Sequence, residues 1–168
     1  MIFRSASIAL LLASSVSASV GAGTLQGIVN HVSDGDSFWV RPAEGGPPVQ
    51  VRLLGLDAPE ICQPFGPEAR NALAGRLLRR RVEVTTSAQD VYDRSIGRVT
   101  VRGKDVGAAL VAGGFAWSAR YRGRPGPYEA EESEARAAGR GLWAKGAVEP
   151  RLFRKRRGSC ERPDLERG

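Results

Sequence analysis

An α+β fold, a five-stranded β-barrel with about three helices, is what three features of this 168-residue sequence predict. Short segments alternate apolar and polar residues with tight turns between them. A helical segment interrupts the strands after the third. Further helical segments follow the fifth. Residues 24–33 and 36–42 read as two strands around Ser33-Asp34-Gly35, with Phe38 and Val40 alternating against Ser37 and Trp39. Gly45-Gly46-Pro47-Pro48 is a loop, after which Val49, Val51 and Leu53 alternate again and complete an antiparallel meander. Gly66-Pro67-Glu68 starts a helix, with proline and an acid in the first turn and Ala69, Ala72, Leu73 and Leu77 on one face. Strands are expected around 82–85 and 96–101. A short helix over 106–112 stops at Gly113-Gly114. Pro127 opens a third helix that ends at Gly139, and Leu142-Trp143 should plug its end into the core. Beyond Pro150 the chain reads as irregular. Three strands, a helix and two strands is the element order of an OB-fold barrel.

The totals agree with one globular domain. The chain is 42% apolar, enough to bury a core. Its formal net charge is +7, with a pI of about 10.2, which favours a polyanionic partner, either nucleic acid or an anionic membrane. The N-terminus reads as a signal peptide. Arg4 is a short positive region, residues 8–13 are apolar, and Val16-Ser17-Ala18 or Val20-Gly21-Ala22 fits the cleavage pattern. The apolar run is too short to span a bilayer. The expected organisation is a signal peptide over 1–22, the folded domain over 23–146 and a basic tail over 147–168. In the last 18 residues, 151–168, seven Arg/Lys stand against three Asp/Glu, and this tail is expected to add nonspecific affinity and not chemistry. Location would be secreted or periplasmic, with no membrane attachment after cleavage. Export would expose Cys62 and Cys160 to oxidising conditions, so they are expected to pair. That bridge would close a loop of roughly 100 residues, worth up to about 4–5 kcal/mol in the chain-entropy model.

Several chemistries lack their residues. The single histidine, His31, lies within a predicted strand, and no histidine pair exists. No Gly-rich loop with lysine and no Gly-x-Ser-x-Gly elbow is present. What remains is three runs of acids and arginines: Asp34-Gly35-Asp36, Arg52 through Asp57-Ala58-Pro59-Glu60, and Tyr92-Asp93-Arg94-Ser95-Ile96-Gly97-Arg98. Singly, each reads as a turn or a solvated strand arginine. Their placement says more. Asp36 opens the second strand and Asp57 follows the third, so an antiparallel meander returns both to one barrel mouth. Two carboxylates so placed repel unless a cation or proton separates them. Acidic oxygens suit a hard cation such as Ca²⁺, arginines grip phosphate through a planar fork, and a spare carboxylate can accept a proton from water.

Together these runs closely resemble the thermonuclease family, the staphylococcal-nuclease-like proteins. The likeness extends through Phe65-Gly66-Pro67-Glu68-Ala69, Val106-Gly107-Ala108-Ala109-Leu110-Val111 and Ala135-Arg136-Ala137-Ala138-Gly139-Arg140-Gly141-Leu142-Trp143. It covers roughly residues 24–145. The resemblance implies an OB-fold and a Ca²⁺-dependent, sugar-nonspecific phosphodiesterase that acts on DNA and RNA and leaves 3′-phosphate ends. Asp36 and Asp57 match its calcium carboxylates, the backbone carbonyl of Ala58 a further ligand, and Asp34 an acidic neighbour of the metal. Glu60 matches the general base or water-positioning residue, and Arg52 and Arg98 the phosphate-binding arginines. Ser95-Ile96 lengthen the loop before Gly97-Arg98 by one residue, so Arg94 is the alternative to Arg98. Gly107 stands where asparagine is frequent. Tyr121 is the candidate for base stacking. A monomer is expected. The competing readings are a nucleic-acid-binding OB module without catalysis and a basic envelope protein. Glu60, which would repel a nucleic acid, argues against the first, and the acids argue against the second.

Overall fold

The computed structural model describes residues 23–144 and 146–160; the predicted signal peptide and residues 161–168 lie outside the described residues. Strands β1 (Thr24–Val32), β2 (Ser37–Pro42) and β3 (Val49–Leu53) form the antiparallel meander. A two-residue β4 (Leu56–Asp57) and helix α1 (Gly66–Leu77) follow. Strands β5 (Arg81–Gln89) and β6 (Ser95–Val101) then pair antiparallel. The sheet closes because β6 also pairs parallel with β3, placing Arg52 beside Ile96 and Leu53 beside Gly97. The result is the expected five-stranded closed barrel, with short β7 (Lys104–Asp105) extending the β6 edge. Helix α2 (Val106–Ala112), short β8 (Trp117–Ser118), α3 (Glu129–Ala137), a 3₁₀ turn (Gly141–Ala144) and α4 (Pro150–Arg157) complete the described chain. β8 pairs with β4, so the segment before α3 touches the turn that carries Asp57.

Alternation supplies the core. Val29, Phe38, Val40, Val51, Val84 and Val99 are fully buried inside the barrel. A register shift between Val29 and His31 lets Val32 turn inward three residues after Val29, which strict alternation would forbid. His31 consequently stays half-exposed. Helix α1 buries Ala69, Leu73 and Leu77, the face read from its spacing. Leu142 is buried as expected. The helix after Pro127 starts two residues late, at Glu129, because Tyr128 leaves the helical conformation to pack inward.

Tyr128 explains Gly107. A Cβ on Gly107 would lie 2.7 Å from the Tyr128 hydroxyl, so the tyrosine fills the space that an asparagine side chain would need. The hydroxyl donates to Asp105 at 3.2 Å, while the other Asp105 oxygen accepts the Ala108 N–H and caps α2. Burial, followed by the negative charge of Asp105, pushes the Tyr128 pKa up to about 12. A raised tyrosine pKa stabilises the fold fully below the unfolded value near 10, and this contribution disappears as pH climbs through about 12. Ultraviolet titration should show one tyrosine ionising near pH 12 that is missing from Tyr128→Phe.

The structure departs from expectation at the C-terminus. Residues 150–157 form a helix and not an irregular tail. Pro150 at its first turn is the helix-start signal, but the run Arg154-Lys155-Arg156-Arg157 hides any apolar periodicity. Docking holds this helix. Cys62 and Cys160 form a disulfide across a sequence separation of 98, tying the end of α4 to the loop that follows Glu60. Reduction, or Cys160→Ser, is expected to lower unfolding stability by about 2–5 kcal/mol, measured by urea titration with and without reductant. An unchanged midpoint would contradict this.

Candidate functional site

The site is built where three chain turns approach one another. Ser33 and Asp34 N–H groups bond the Ser37 carbonyl, and the Asp36 N–H bonds Asp34 Oδ1 at 3.0 Å, closing a tight acidic turn. Gly35 lets this turn press onto Ala58 and α1; a Cβ there would lie 2.6 Å from Ala58 Cβ and 2.9 Å from Ala69 Cβ. Asp36 thereby lands beside the Asp57–Ala58 segment. Gly55 takes a φ of +82° in the turn between β3 and β4, a conformation that suits glycine and sets the direction of Asp57.

Arg52 on β3 joins the two aspartates. Its Nη1 donates to Asp36 Oδ1 at 3.0 Å, its Nη2 reaches Asp36 Oδ2 at 2.8 Å, and the same Nη2 donates to Asp57 Oδ1 at 3.1 Å. Asp36, only 4% exposed, also accepts from the Ser37 hydroxyl at 2.8 Å and the Ala58 N–H at 3.4 Å. Burial alone would raise its pKa. The Arg52 charge and these hydrogen bonds outweigh burial, and the carboxyl is held below its ordinary range. Asp57 goes the other way: burial and the negative charge of Asp36 outweigh the help it receives from Arg154 and Arg52. Arg52 is held more firmly protonated by Asp36.

A fourth residue, not foreseen from the sequence, enters from α4. Arg154 donates to both oxygens of Asp57, at 3.1 and 2.8 Å, and to Glu60 Oε1 at 2.9 Å. The C-terminal segment, expected to lie apart from the chemistry, instead reaches the two acids most central to it. Gln63, buried at 2% exposure, supports the same corner. Its Oε1 accepts the Glu60 N–H at 3.3 Å and its Nε2 donates to the Val148 carbonyl at 2.6 Å. Arg154 acts across 94 to 97 residues and Gln63 reaches Val148 across 85, so nothing local in the sequence marks these contacts.

The structure thus brings Asp36, Arg52, Asp57 and Glu60 together. Ala58 reaches the cluster through its N–H, and Asp34 braces the acidic turn. Arg94 and Arg98 part company. Arg94 is 5% exposed, clamps Asp90 through Nε at 2.8 Å and Nη2 at 2.7 Å, and donates from Nη1 to Ser37 Oγ at 3.3 Å. Arg98 lies two residues beyond Ile96, the register partner of Arg52, and so shares its face of the sheet one step further along. It is 52% exposed in its side chain and bonds Asp105 at 2.9 Å. Tyr121 is exposed, with the Arg122 guanidinium 5.3 Å from its ring centre, and the structure does not bring it into the acid cluster.

Among the described residues no ready-made group of three metal-ligating side chains stands out. The donor chemistry nonetheless fits a hard cation. Asp36 and Asp57 converge on one guanidinium, all their donor atoms are oxygen, and the three carboxylates of Asp36, Asp57 and Glu60 face only two guanidiniums, Arg52 and Arg154.

Comparison with known proteins agrees with this geometry. The family model described as staphylococcal nuclease homologue matches residues 50–145. Protein ParB of Escherichia coli is 40% identical over 159 residues, covering 88% of this chain and 89% of the relative. Micrococcal nuclease of Shigella flexneri is 36% identical over 143 residues, covering 77% and 80%. An uncharacterized endonuclease of Haemophilus influenzae is 29% identical over 128 residues, covering 76% and 71%. With the barrel, the acid–arginine cluster and these matches in agreement, the chain belongs to the staphylococcal nuclease homologue family.

Proposed function

We propose that this protein is an exported, Ca²⁺-dependent, sugar-nonspecific nuclease that hydrolyses phosphodiester bonds of DNA and RNA and leaves 3′-phosphate ends. Its membership among nuclease homologues makes it a phosphodiester hydrolase. The convergence of Asp36 and Asp57 on Arg52, with Glu60 joined to Asp57 through Arg154, supports the metal-dependent reading. Asp36 and Asp57, with the Ala58 carbonyl, are the groups that would hold the ion. When bound, Ca²⁺ supplies positive charge that neutralises and orients the reacting phosphate.

The remaining work falls to the chain's own residues. Glu60 accepts a proton from the attacking water. Arg52 and Arg98 hold phosphate oxygens as negative charge accumulates on phosphorus. Arg98 suits this role because its guanidinium is half open to solvent, whereas Arg94 is buried and fully engaged. Arg94 acts as a strut: it orders Ser37, whose hydroxyl donates to Asp36. Export is supported by the leader-like N-terminus and by the disulfide, which persists in oxidising compartments. No helix among the described residues is long and apolar enough to cross a membrane.

The direct test incubates the mature protein with end-labelled DNA and RNA in Ca²⁺ or excess chelator, and identifies the product termini. Cleavage of both polymers with Ca²⁺, 3′-phosphate ends and silence in chelator are expected; undiminished cleavage in chelator overturns the metal assignment. Glu60→Gln should lower kcat about 10²–10⁴-fold, and Arg52→Ala or Arg98→Ala about 10²–10³-fold, in steady-state assays.

Arg94 and Arg98 should also separate by stability. Arg94→Ala removes the guanidinium from Asp90 and Ser37, leaving Asp90 only its bonds from the Tyr92 and Arg94 N–H groups, and is expected to cost about 1–3 kcal/mol of folding stability. Arg98→Ala removes an exposed pair and should cost less than about 1 kcal/mol. Denaturant melts of the two variants, run beside their kcat values, check the division. A stable Arg94→Ala that loses kcat, beside an active Arg98→Ala, would transfer the phosphate role to Arg94.

A further inference from the structure

The family match ends at residue 145, yet the molecule places another helix against the site. A cleft of about 320 Å³ lies between the β3–β4 turn, β8 and α4. Its volume is at the lower end of the range for small-ligand sites, about 300–1,000 Å³. Leu54, Ile96 and Trp117 give it apolar walls. Four arginines line it, Arg52, Arg120, Arg151 and Arg154, against two acids, Asp57 and Glu149. It begins at the catalytic cluster, because Arg52 and Asp57 belong to both.

Arg151 and Arg154 stand three residues apart on α4 and so share a helix face. Arg154 is fastened to Asp57 and Glu60, and the Asp57 hydrogen bonds tighten its hold on its proton. The disulfide at Cys160 ties down the chain just beyond the helix C-terminus. With the helix held at Arg154 and just beyond its C-terminus, the exposed Arg151 is presented at the cleft one turn before Arg154. Arg120 faces it from the segment after β8, only weakly engaged with Glu132 at 3.4 Å.

Resting on the nuclease reading, we infer that α4 completes a second phosphate subsite, in which Arg151 and Arg120 grip the backbone phosphate of the nucleotide next to the one being cleaved. The apolar walls accommodate its sugar and base. The ligand class is thus a polynucleotide with at least one phosphate beyond the reacting diester.

The experiment compares a nitrophenyl phosphodiester of a single nucleoside with oligonucleotides of two to four nucleotides, extended on either side, for the wild-type protein and for Arg151→Ala and Arg151→Glu. Intact disulfide and an unchanged melting curve establish that each variant is folded. The readout is the ratio of kcat/KM on the longer substrate to that on the minimal one. It should exceed unity in the wild type and fall about tenfold in Arg151→Ala, the size expected for one charge-assisted hydrogen bond. It should fall further in Arg151→Glu, through KM and not kcat. Because Arg151→Ala removes one phosphate-binding charge, the salt slope of binding should shrink by about 0.7–0.9. A wild-type ratio that does not rise with length, or a ratio unmoved by both substitutions, overturns the subsite. Absence of hydrolysis of every substrate by the wild type would instead remove the nuclease reading on which it rests.

Discussion

Arg52 between Asp36 and Asp57 is the contact on which the rest of the site depends. Two carboxylates this close and this far from water repel, and a buried charge without a partner costs several kcal/mol. One guanidinium with two donor edges resolves both problems, because its planar fork grips Asp36 at both oxygens and still reaches Asp57. That demand constrains the surroundings. β3 must lie between β2 and β6 so that Arg52 faces Ser37 on one side and Ile96 on the other. Gly35 must lack a side chain so that the acidic turn can approach Ala58.

The second consequence is a shortage of positive charge. Arg52 alone does not neutralise Asp57 and Glu60 as well as Asp36. Helix α4 answers with Arg154. Its attachment is redundant: the disulfide fastens one end, and the Gln63 bridge to Val148 steadies the approach to the other. The basic C-terminal segment is therefore a wall of the site and not merely a charged extension. The same charge that would attract nucleic acid at long range is here given fixed positions.

The loop before Gly97 separates Arg98, which the sequence puts first for the phosphate role, from Arg94, its alternative. Asp93 takes a φ of +65° in that loop, and Arg94 is drawn inward to Asp90 and Ser37. Arg98, on the regular strand, keeps the orientation of the face it shares with Arg52. Depth decides between them: the Arg94 guanidinium is enclosed, with its donors spent on Asp90 and Ser37, whereas Arg98 is held by a single exposed pair that it can exchange.

The sequence by itself determined the barrel, since alternation at Phe38, Val40, Val51 and Val99 and the turn chemistry of Asp34-Gly35 and Gly55 are local effects carried by neighbouring residues. It also determined that Asp36 and Asp57 can meet at one mouth, because an antiparallel meander returns the end of the third strand to the start of the second. The helical state of residues 150–157 was not legible: a run of basic residues has no apolar period, and what stabilises it is docking. Nor were Arg154, Gln63 and the different fates of Arg94 and Arg98. Arg154 and the Gln63–Val148 bond join residues far apart in the chain, and Arg94 and Arg98 differ in which of them the fold encloses, so only the tertiary structure, by choosing which side chains are buried against which charges, decided these roles.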